Sequence, residues 1–297
     1  MSAKYAFIIN PNSGGGKGSK FAKLIQHEIK KYAVSAEFYF TSAKGDAVEI
    51  VKSLPAGFSH VIAVGGDGTI NEVVNGILNS HHHVIFGVIP CGTGNDFIKM
   101  IGMDKNPSIA LSQIMSNNLM LVDVGLVETE NRSRYFINGM GTGFDAVAAE
   151  KANHHKGMGI LAYLYAVITT LFTYKEPTVN LTMNNETINI PIFLANFGNG
   201  YCAGGMFQLS PGALLDDGLF HITFISGVKK SRVFKVLPMV IKGEHVNEPE
   251  VQVFVSDHAE IFSETGLCIH TDGEIIDTQA KQIRVSLLPQ KISVVRQ

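Results

Sequence analysis

Three short apolar runs in the first ninety residues each end in a glycine-rich turn, and that recurrence limits the fold more than any other feature. Residues 5–10 lead into Asn10-Pro11-Asn12-Ser13-Gly14-Gly15-Gly16-Lys17-Gly18. Residues 60–64 lead into Gly65-Gly66-Asp67-Gly68-Thr69, and residues 84–90 into Gly92-Thr93-Gly94-Asn95-Asp96. Helical patterning follows each turn. After the first, Ser19 is a candidate N-cap, and Phe21, Leu24, Ile25, Ile29 and Tyr32 recur at helical spacing. With a strand near 34–40 and helices near 43–54, from 70 and from 95, the first 120 residues alternate strand and helix. Such alternation builds a parallel sheet covered by helices, with ligands at the carboxyl ends of its strands.

The rhythm changes after about Asp123. Residues 135–140, 178–183, 187–196, 218–224, 251–255, 260–262, 267–270 and 283–288 read as strands. Helices are expected only near 143–154, 157–174 and 229–242. That pattern predicts a second domain built on an antiparallel sheet or sandwich. The expected division is 1–122 with 290–297 against 123–289, the two tightly joined because no proline-rich linker or low-complexity tract intervenes.

Composition excludes several classes. The chain has 297 residues, and 24 Lys+Arg against 26 Asp+Glu give a net charge of −2, which argues against broad phosphate neutralisation of a nucleic acid. Hydrophobic residues reach 45% and charged residues only 17%, so a sizeable core is expected and disorder is not. Cys91, Cys202 and Cys268 are widely spaced with no C-x-x-C pair, which fits a reducing cytosol better than a disulfide framework or a zinc site. No signal peptide is expected at the N-terminus. The uncharged stretch 157–174 is read as a buried or membrane-adjacent helix rather than a span. Runs His81-His82-His83 and His154-His155 read as a solvated loop and a helix end.

A glycine-rich strand-to-helix turn lets backbone N–H groups approach an anion, and three at one sheet edge favour a polyphosphate. No segment fits the Walker A spacing, and the one dinucleotide-type match, from Gly141, lies outside any βαβ unit. Sharp corners alone need glycine but not the aspartate between Gly66 and Gly68. An acid among phosphate-facing amides makes sense with a cation, since Mg2+ uses one or two carboxylates beside phosphate oxygens.

At these residues the resemblance becomes specific. Asn10-Pro11-x-Ser13-Gly14, Gly65-Gly66-Asp67-Gly68-Thr69-x-Asn71-Glu72 and Gly92-Thr93-Gly94-Asn95-Asp96-Phe97 resemble the signature of the diacylglycerol kinase catalytic-domain family, bacterial soluble type. Leu214-Leu215-Asp216-Asp217-Gly218-Leu219 and Thr271-Asp272-Gly273-Glu274 resemble its second-domain motifs, so the match covers nearly the whole chain. The resemblance implies an α/β N-terminal domain with a parallel sheet, followed by a mainly antiparallel β-sandwich domain. It implies ATP bound by Asn10, Pro11, Asn12, Ser13, Gly14, Thr41, Gly65, Gly66, Asp67, Gly68, Thr69, Ile70, Asn71 and Thr93. It implies Mg2+ acting through Asp67, and Glu274 as the base that deprotonates the acceptor hydroxyl. A second, structural Mg2+ maps to the Asp217 side chain and the carbonyls of Leu214 and Leu219. The one departure is Gly94, where relatives often have alanine.

Asp67 and Glu274 fall on different domains, so the expected site is the cleft between them. Taken alone, Asp272-Gly273 reads as a hairpin turn. Segments 138–144 and 196–205 are candidate acceptor lining. The expected function is an ATP- and Mg2+-dependent lipid kinase acting on a lipid substrate at the membrane surface, cytoplasmic and peripherally attached, and the family implies a homodimer. The alternatives are an NAD kinase-like phosphotransferase and a non-catalytic nucleotide-binding regulator. Helix 229–242 is the expected bilayer contact, with Lys229, Arg232, Lys235 and Lys242 on one side and Val233, Phe234, Leu237, Val240 and Ile241 on another.

Overall fold

The apolar runs of the N-terminal third are buried on both faces, as strands of a helix-covered parallel sheet must be. In a computed structural model the chain is described over residues 3–80, 82–153 and 160–297, with the side chains of 153 and 160–164 outside that description. His81, His154, His155 and the start of the 157–174 stretch fall outside the described residues. The chain divides into two units, Met1–Val124 with Pro289–Gln297, and Gly125–Leu288.

The first unit runs β1 (Lys4–Ile9), α1 (Ser13–Glu28), β2 (Ser35–Phe40), α2 (Asp46–Lys52), β3 (His60–Gly65), α3 (Asp67–Leu78), β4 (Ile85–Pro90), α4 (Asp96–Ile101) and α5 (Pro107–Ser116). Its strands pair in parallel in the order β2-β1-β3-β4. The order reverses direction between β1 and β3, the position where open α/β sheets bind ligands. Helix α1 packs beside α5, and α2 beside α3. Register puts Ile9 opposite Val64 and Val64 opposite Ile89, so the turns after β1, β3 and β4 leave the sheet at one level.

Strand β5 (Leu119–Thr129) carries the chain into the second unit. There follow β6 (Ser133–Phe136), β7 (Gly139–Gly143), α6 (Phe144–Asn153), α7 (Ile160–Thr173), β8 (Thr178–Met183), β9 (Glu186–Pro191), β10 (Leu194–Gly198), β11 (Phe220–Ile225), α8 (Lys230–Lys242), β12 (Val251–Ser256), β13 (His258–Thr271) and β14 (Glu274–Val295). The end of β14 returns to the first unit, where Ser293 and Val294 pair with Ile85 and Phe86 of β4.

The pairings of β5 with β6, among β7 to β13, and of β13 with β14 are antiparallel, and β13 organises them. Its first half pairs with β8, and its second half with β7, which continues the sheet through β10 and β11 to β12. Register shifts between Phe262 and His270 accompany that change of partner, as bulges do at sandwich corners. One apolar core, including Phe136, Met140, Leu181, Phe197, Phe220, Ile261 and Ile283, draws on strands of both groups. This is the β-sandwich that the strand spacing predicts.

Several boundaries differ from the sequence reading: α1 begins at Ser13, ahead of the Ser19 cap, and the strand expected at 283–288 lies within the longer β14. The strand expected at 135–140 breaks after Phe136, because the amides of Ile137, Asn138 and Gly139 bond to the Asp272 carboxylate instead of a strand. The strand expected at 187–196 is two, β9 and β10, divided after Pro191, which has no N–H to donate. The segments expected at 260–262 and 267–270 are parts of one strand, β13. Among the described residues no helix is long and apolar enough to cross a membrane, and α7 spans 14 residues there.

Candidate active site

In the first unit, hydrogen bonds fasten the three glycine turns together. Asn10 N–H donates to the Val64 carbonyl at 3.0 Å, and Cys91 N–H donates to the Gly65 carbonyl at 2.7 Å. The Ser13 hydroxyl donates to the Cys91 carbonyl at 3.3 Å, and the Asn10 side-chain amide to Thr69 Oγ1 at 3.3 Å. Gly66 and Gly92 touch backbone to backbone: a Cβ on Gly92 would lie 2.6 Å from the Gly66 Cα. Thr41 ends β2 at the same edge, its N–H and hydroxyl both directed at the Ile9 carbonyl. Thr93 is exposed at this edge, while Ile70 and Asn71 are buried along α3 and serve its packing.

Asp67 is the first residue of α3, where a carboxylate complements the helix dipole. Its Oδ2 accepts the N–H of Asn95 and its Oδ1 that of Asp96, each at 2.8 Å. Asn95 has the left-handed φ of 52° that presents both amides to one carboxylate. Gly94 does more than add flexibility, since a Cβ there would lie 2.7 Å from Asp67 Oδ2. Burial, reinforced by the charge of Asp96, raises the Asp67 carboxyl above its ordinary range despite the two amides. Lys99 sits 3.1 Å from Asp96.

The donors around Asp67 fit a hard cation. They are oxygens, and Asn95 Oδ1 is buried in a residue 4% exposed with no hydrogen-bond partner among the described residues. At Asp217 the donors are also oxygen in kind. There Oδ1 accepts the Leu219 N–H at 3.1 Å and Oδ2 lies 3.4 Å from His221 Nε2. Among the described residues no cluster of three His, Cys, Asp or Glu forms a metal cage.

In the second unit, Asp272 and Gly273 form the two-residue hairpin turn between β13 and β14, with φ of 48° and 81°. The turn is also latched. Asp272 Oδ1 accepts the N–H groups of Asn138 (2.9 Å) and Gly139 (3.0 Å), and Oδ2 that of Ile137 (3.0 Å). Glu274 follows, its Oε2 3.0 Å from Arg134 Nη2 of β6, with both side chains about one-fifth exposed. Sequence reasoning missed Arg134 and the latch; neither has a local signal, since Arg134 is 140 positions from Glu274. Asn138 and Asn196, from the candidate acceptor segments, are buried and donate to the Cys202 carbonyl and the Ser210 hydroxyl. The match from Gly141 does link a strand to a helix, but β7 is antiparallel to both neighbours.

Two outcomes follow from these carboxylates. Asp272→Ala removes the acceptor of three backbone amides at about 1–3 kcal/mol for each left unpaired. A loss of at least about 3 kcal/mol is expected in urea unfolding, with Asp272→Asn intermediate; a loss below about 1 kcal/mol would show the latch to be incidental. At Asp67, cation binding needs the ionised carboxylate, and its raised pKa means protonation begins early as pH falls. The extra rise in melting temperature that Mg2+ adds to a non-hydrolysable ATP analogue should vanish in Asp67→Asn. In the wild type it should fade on acidification above the usual carboxylate range. An undiminished rise in the variant would remove Asp67 as the ligand.

Comparison with known proteins gives the family. Residues 4–127 match the diacylglycerol kinase catalytic domain, and residues 138–296 match the YegS C-terminal NAD kinase beta sandwich-like domain. The chain is 28% identical over 277 residues to a diacylglycerol kinase of Staphylococcus saprophyticus, covering 92% of this chain and 90% of that one. It is 28% identical over 273 residues to the diacylglycerol kinase of Bacillus subtilis, covering 90% and 88%. A crystal structure of a diacylglycerol kinase from Bacillus anthracis shares the fold, with a TM-score of 0.75 at 20% identity over 99% of this chain and 97% of that one. The chain therefore belongs to the diacylglycerol kinase catalytic-domain family, in the form that carries the YegS-type β-sandwich as its second part.

Proposed function

We propose that this chain is a lipid kinase that transfers the γ-phosphate of ATP, with Mg2+, to the hydroxyl of diacylglycerol or a related lipid alcohol, giving phosphatidic acid or its equivalent. One observation supports the reading above the rest. Three glycine turns leave one sheet edge at the same level, and an aspartate begins the helix behind the middle turn. Phosphoryl transfer asks a protein mainly for positioning and charge neutralisation, and this edge is suited to both.

In this reading the turn from Asn10 to Gly14, with Gly65, Gly66, Gly68, Thr69 and Thr93, binds the polyphosphate, and Thr41 lines the same edge. Asp67 with Asn95 would hold Mg2+, which when bound neutralises charge on the transferring group. Glu274 takes the proton of the acceptor hydroxyl as its oxygen bonds to the γ-phosphorus and the bond to the β,γ-bridging oxygen breaks, releasing ADP. Arg134 orients the Glu274 carboxylate through Oε2, and Asp272 keeps the turn beneath it from shifting. The reading includes a second ion, at Asp217 with the carbonyls of Leu214 and Leu219, and a cytoplasmic protein that visits the membrane surface.

Labelled ATP offered with diacylglycerol, phosphatidylglycerol, a sphingoid base in mixed micelles, or NAD tests the reaction. Label is expected on a lipid and not on NAD. Transfer to NAD alone identifies an NAD kinase-like enzyme, and ATP binding without any transfer identifies a regulator; either overturns the proposal. Glu274→Gln should lower kcat by about 10²–10⁴ with melting unchanged, and a near-normal rate would remove it as the base. For the second ion, excess chelator should lower the melting temperature of the wild type and leave Asp217→Ala unaffected. Equal melting of the wild type with and without chelator would discard that ion.

A further inference from the structure

The outward faces of α7 and α8 break the rule that a surface helix turns polar residues to water. On α7, Tyr165, Ile168 and Phe172 are exposed at i, i+3 and i+7. On α8, Phe234, Leu237 and Ile241 repeat the same spacing. These six side chains are 40–64% exposed, although Leu171 of α7 and Val233 of α8 bury their opposite faces in one shared cluster. The end of α7 and the start of α8 are joined by one hydrogen bond. Lys230, four residues before Phe234 and on the same side of α8, donates its ammonium to the Phe172 carbonyl at 2.6 Å.

Charge on the two helices is of one sign, with Glu244 exposed just after α8. Neither helix contains an acidic residue, and Lys175, Lys229, Lys230, Lys235 and Lys242 are exposed in and around them. Three neighbouring acids are occupied: Glu248 and Glu250 hold Arg232, Glu248 also lies 4.0 Å from Lys235, and Glu176 accepts the amides of Gly227 and Val228. Arg232, Val233 and Val240 are thus withdrawn from the contact expected of this helix by sequence, the first by its ion pairs and the others by burial.

We infer that α7 and α8 together form a docking surface for an anionic lipid bilayer, their apolar stripes entering the headgroup boundary and their lysines meeting the lipid charge. An apolar strip set among lysines is the pattern of helices that lie in a membrane interface. A second copy of this chain would bring the same positive field against itself, whereas an anionic leaflet complements it. The inference rests on the lipid-kinase reading only for why a bilayer is visited, and its test uses neither ATP nor diacylglycerol.

The test is co-sedimentation with vesicles of phosphatidylcholine alone and of phosphatidylcholine with phosphatidylglycerol. The wild type should bind the anionic vesicles at least ten-fold more tightly. Phe172→Asp with Leu237→Asp, and separately Lys230→Glu with Lys235→Glu and Lys242→Glu, should each reduce that binding about ten-fold or more. Equal binding by correctly folded variants overturns the proposal. So does a wild-type dimer in sedimentation velocity that the aspartate pair converts to monomer without loss of vesicle binding, since a second copy then covers this face. Should the aspartate variants fail to fold, an environment-sensitive fluorophore on Leu237→Cys decides, because the three native cysteines are buried. A blue shift with anionic vesicles, absent for the label on Lys52→Cys, supports the surface; no shift at either position overturns it.

Discussion

Parallel pairing of β1, β3 and β4 is the constraint on which the glycine-turn edge of the first unit depends. Because Ile9, Val64 and Ile89 stand in one row, the chain leaves the sheet three times at one level, and each exit turns sharply into a helix. Close packing of those exits leaves no room for side chains where Gly66 meets Gly92. The cross-links from Asn10 to Val64 and from Cys91 to Gly65 are extensions of the sheet's own ladder. A slip of one residue in β3 would turn its side chains to the other face and carry Asp67 away from Asn95 and Asp96.

Each unit then uses a carboxylate to fix backbone that the ladder does not reach. Asp67 ties the start of α3 to the start of α4, and Asp272 ties the β13–β14 turn to the segment before β7. Amide donors are suited to this because they are directional and fixed by the backbone, while a lysine brings a flexible stem. The two acids differ in what they leave over. Asp272 gives its oxygens to three amides, a structural task. Asp67 accepts the amides of Asn95 and Asp96 and its own N–H, but burial and Asp96 raise its pKa, so its negative charge is under-compensated. A cation among the phosphates would relieve that imbalance, which joins its structural and chemical roles.

Much of this was legible in the sequence, and what escaped has a common cause. The glycine turns, the acid within the middle one and the shift from alternating helices to strands are local patterns. The Asp-Gly hairpin was legible too, since two residues with positive φ favour that pair. Invisible were relations across long separations: Asp67 to the amides 28 and 29 positions on, Asp272 to amides 133–135 positions back, and Arg134 to Glu274. The strand breaks after Phe136 and before Leu194 follow from the Asp272 latch and Pro191 rather than from hydropathy. On α8 the role of Arg232 escaped for the same reason, because the acids that occupy it come after the helix ends.

The glycines of β7 show how far such relations reach. Gly-Met-Gly-Thr-Gly resembles a nucleotide loop, yet its middle glycine makes space for side chains from elsewhere. A Cβ on Gly141 would lie 2.7 Å from Asp145 Oδ2, which bonds His270 Nε2 at 2.9 Å. Burial pulls the His270 pKa down, but the charge and hydrogen bond of Asp145, with the charge of Asp272, carry it above the ordinary histidine value. An imidazole with a raised folded pKa contributes its full stability below the ordinary value and loses it as pH rises through the raised one. His270 stands two residues before Asp272 on β13, and Asp145 opens α6, so this pair ties that helix to the strand from which the latch projects. Replacing one partner would strand the other's charge between α6 and the sheet, which costs more than the intact pair contributes. The glycine on β7 is therefore part of the support beneath Glu274: without that gap the pair has no room, and the strand carrying Asp272 loses its anchor to α6.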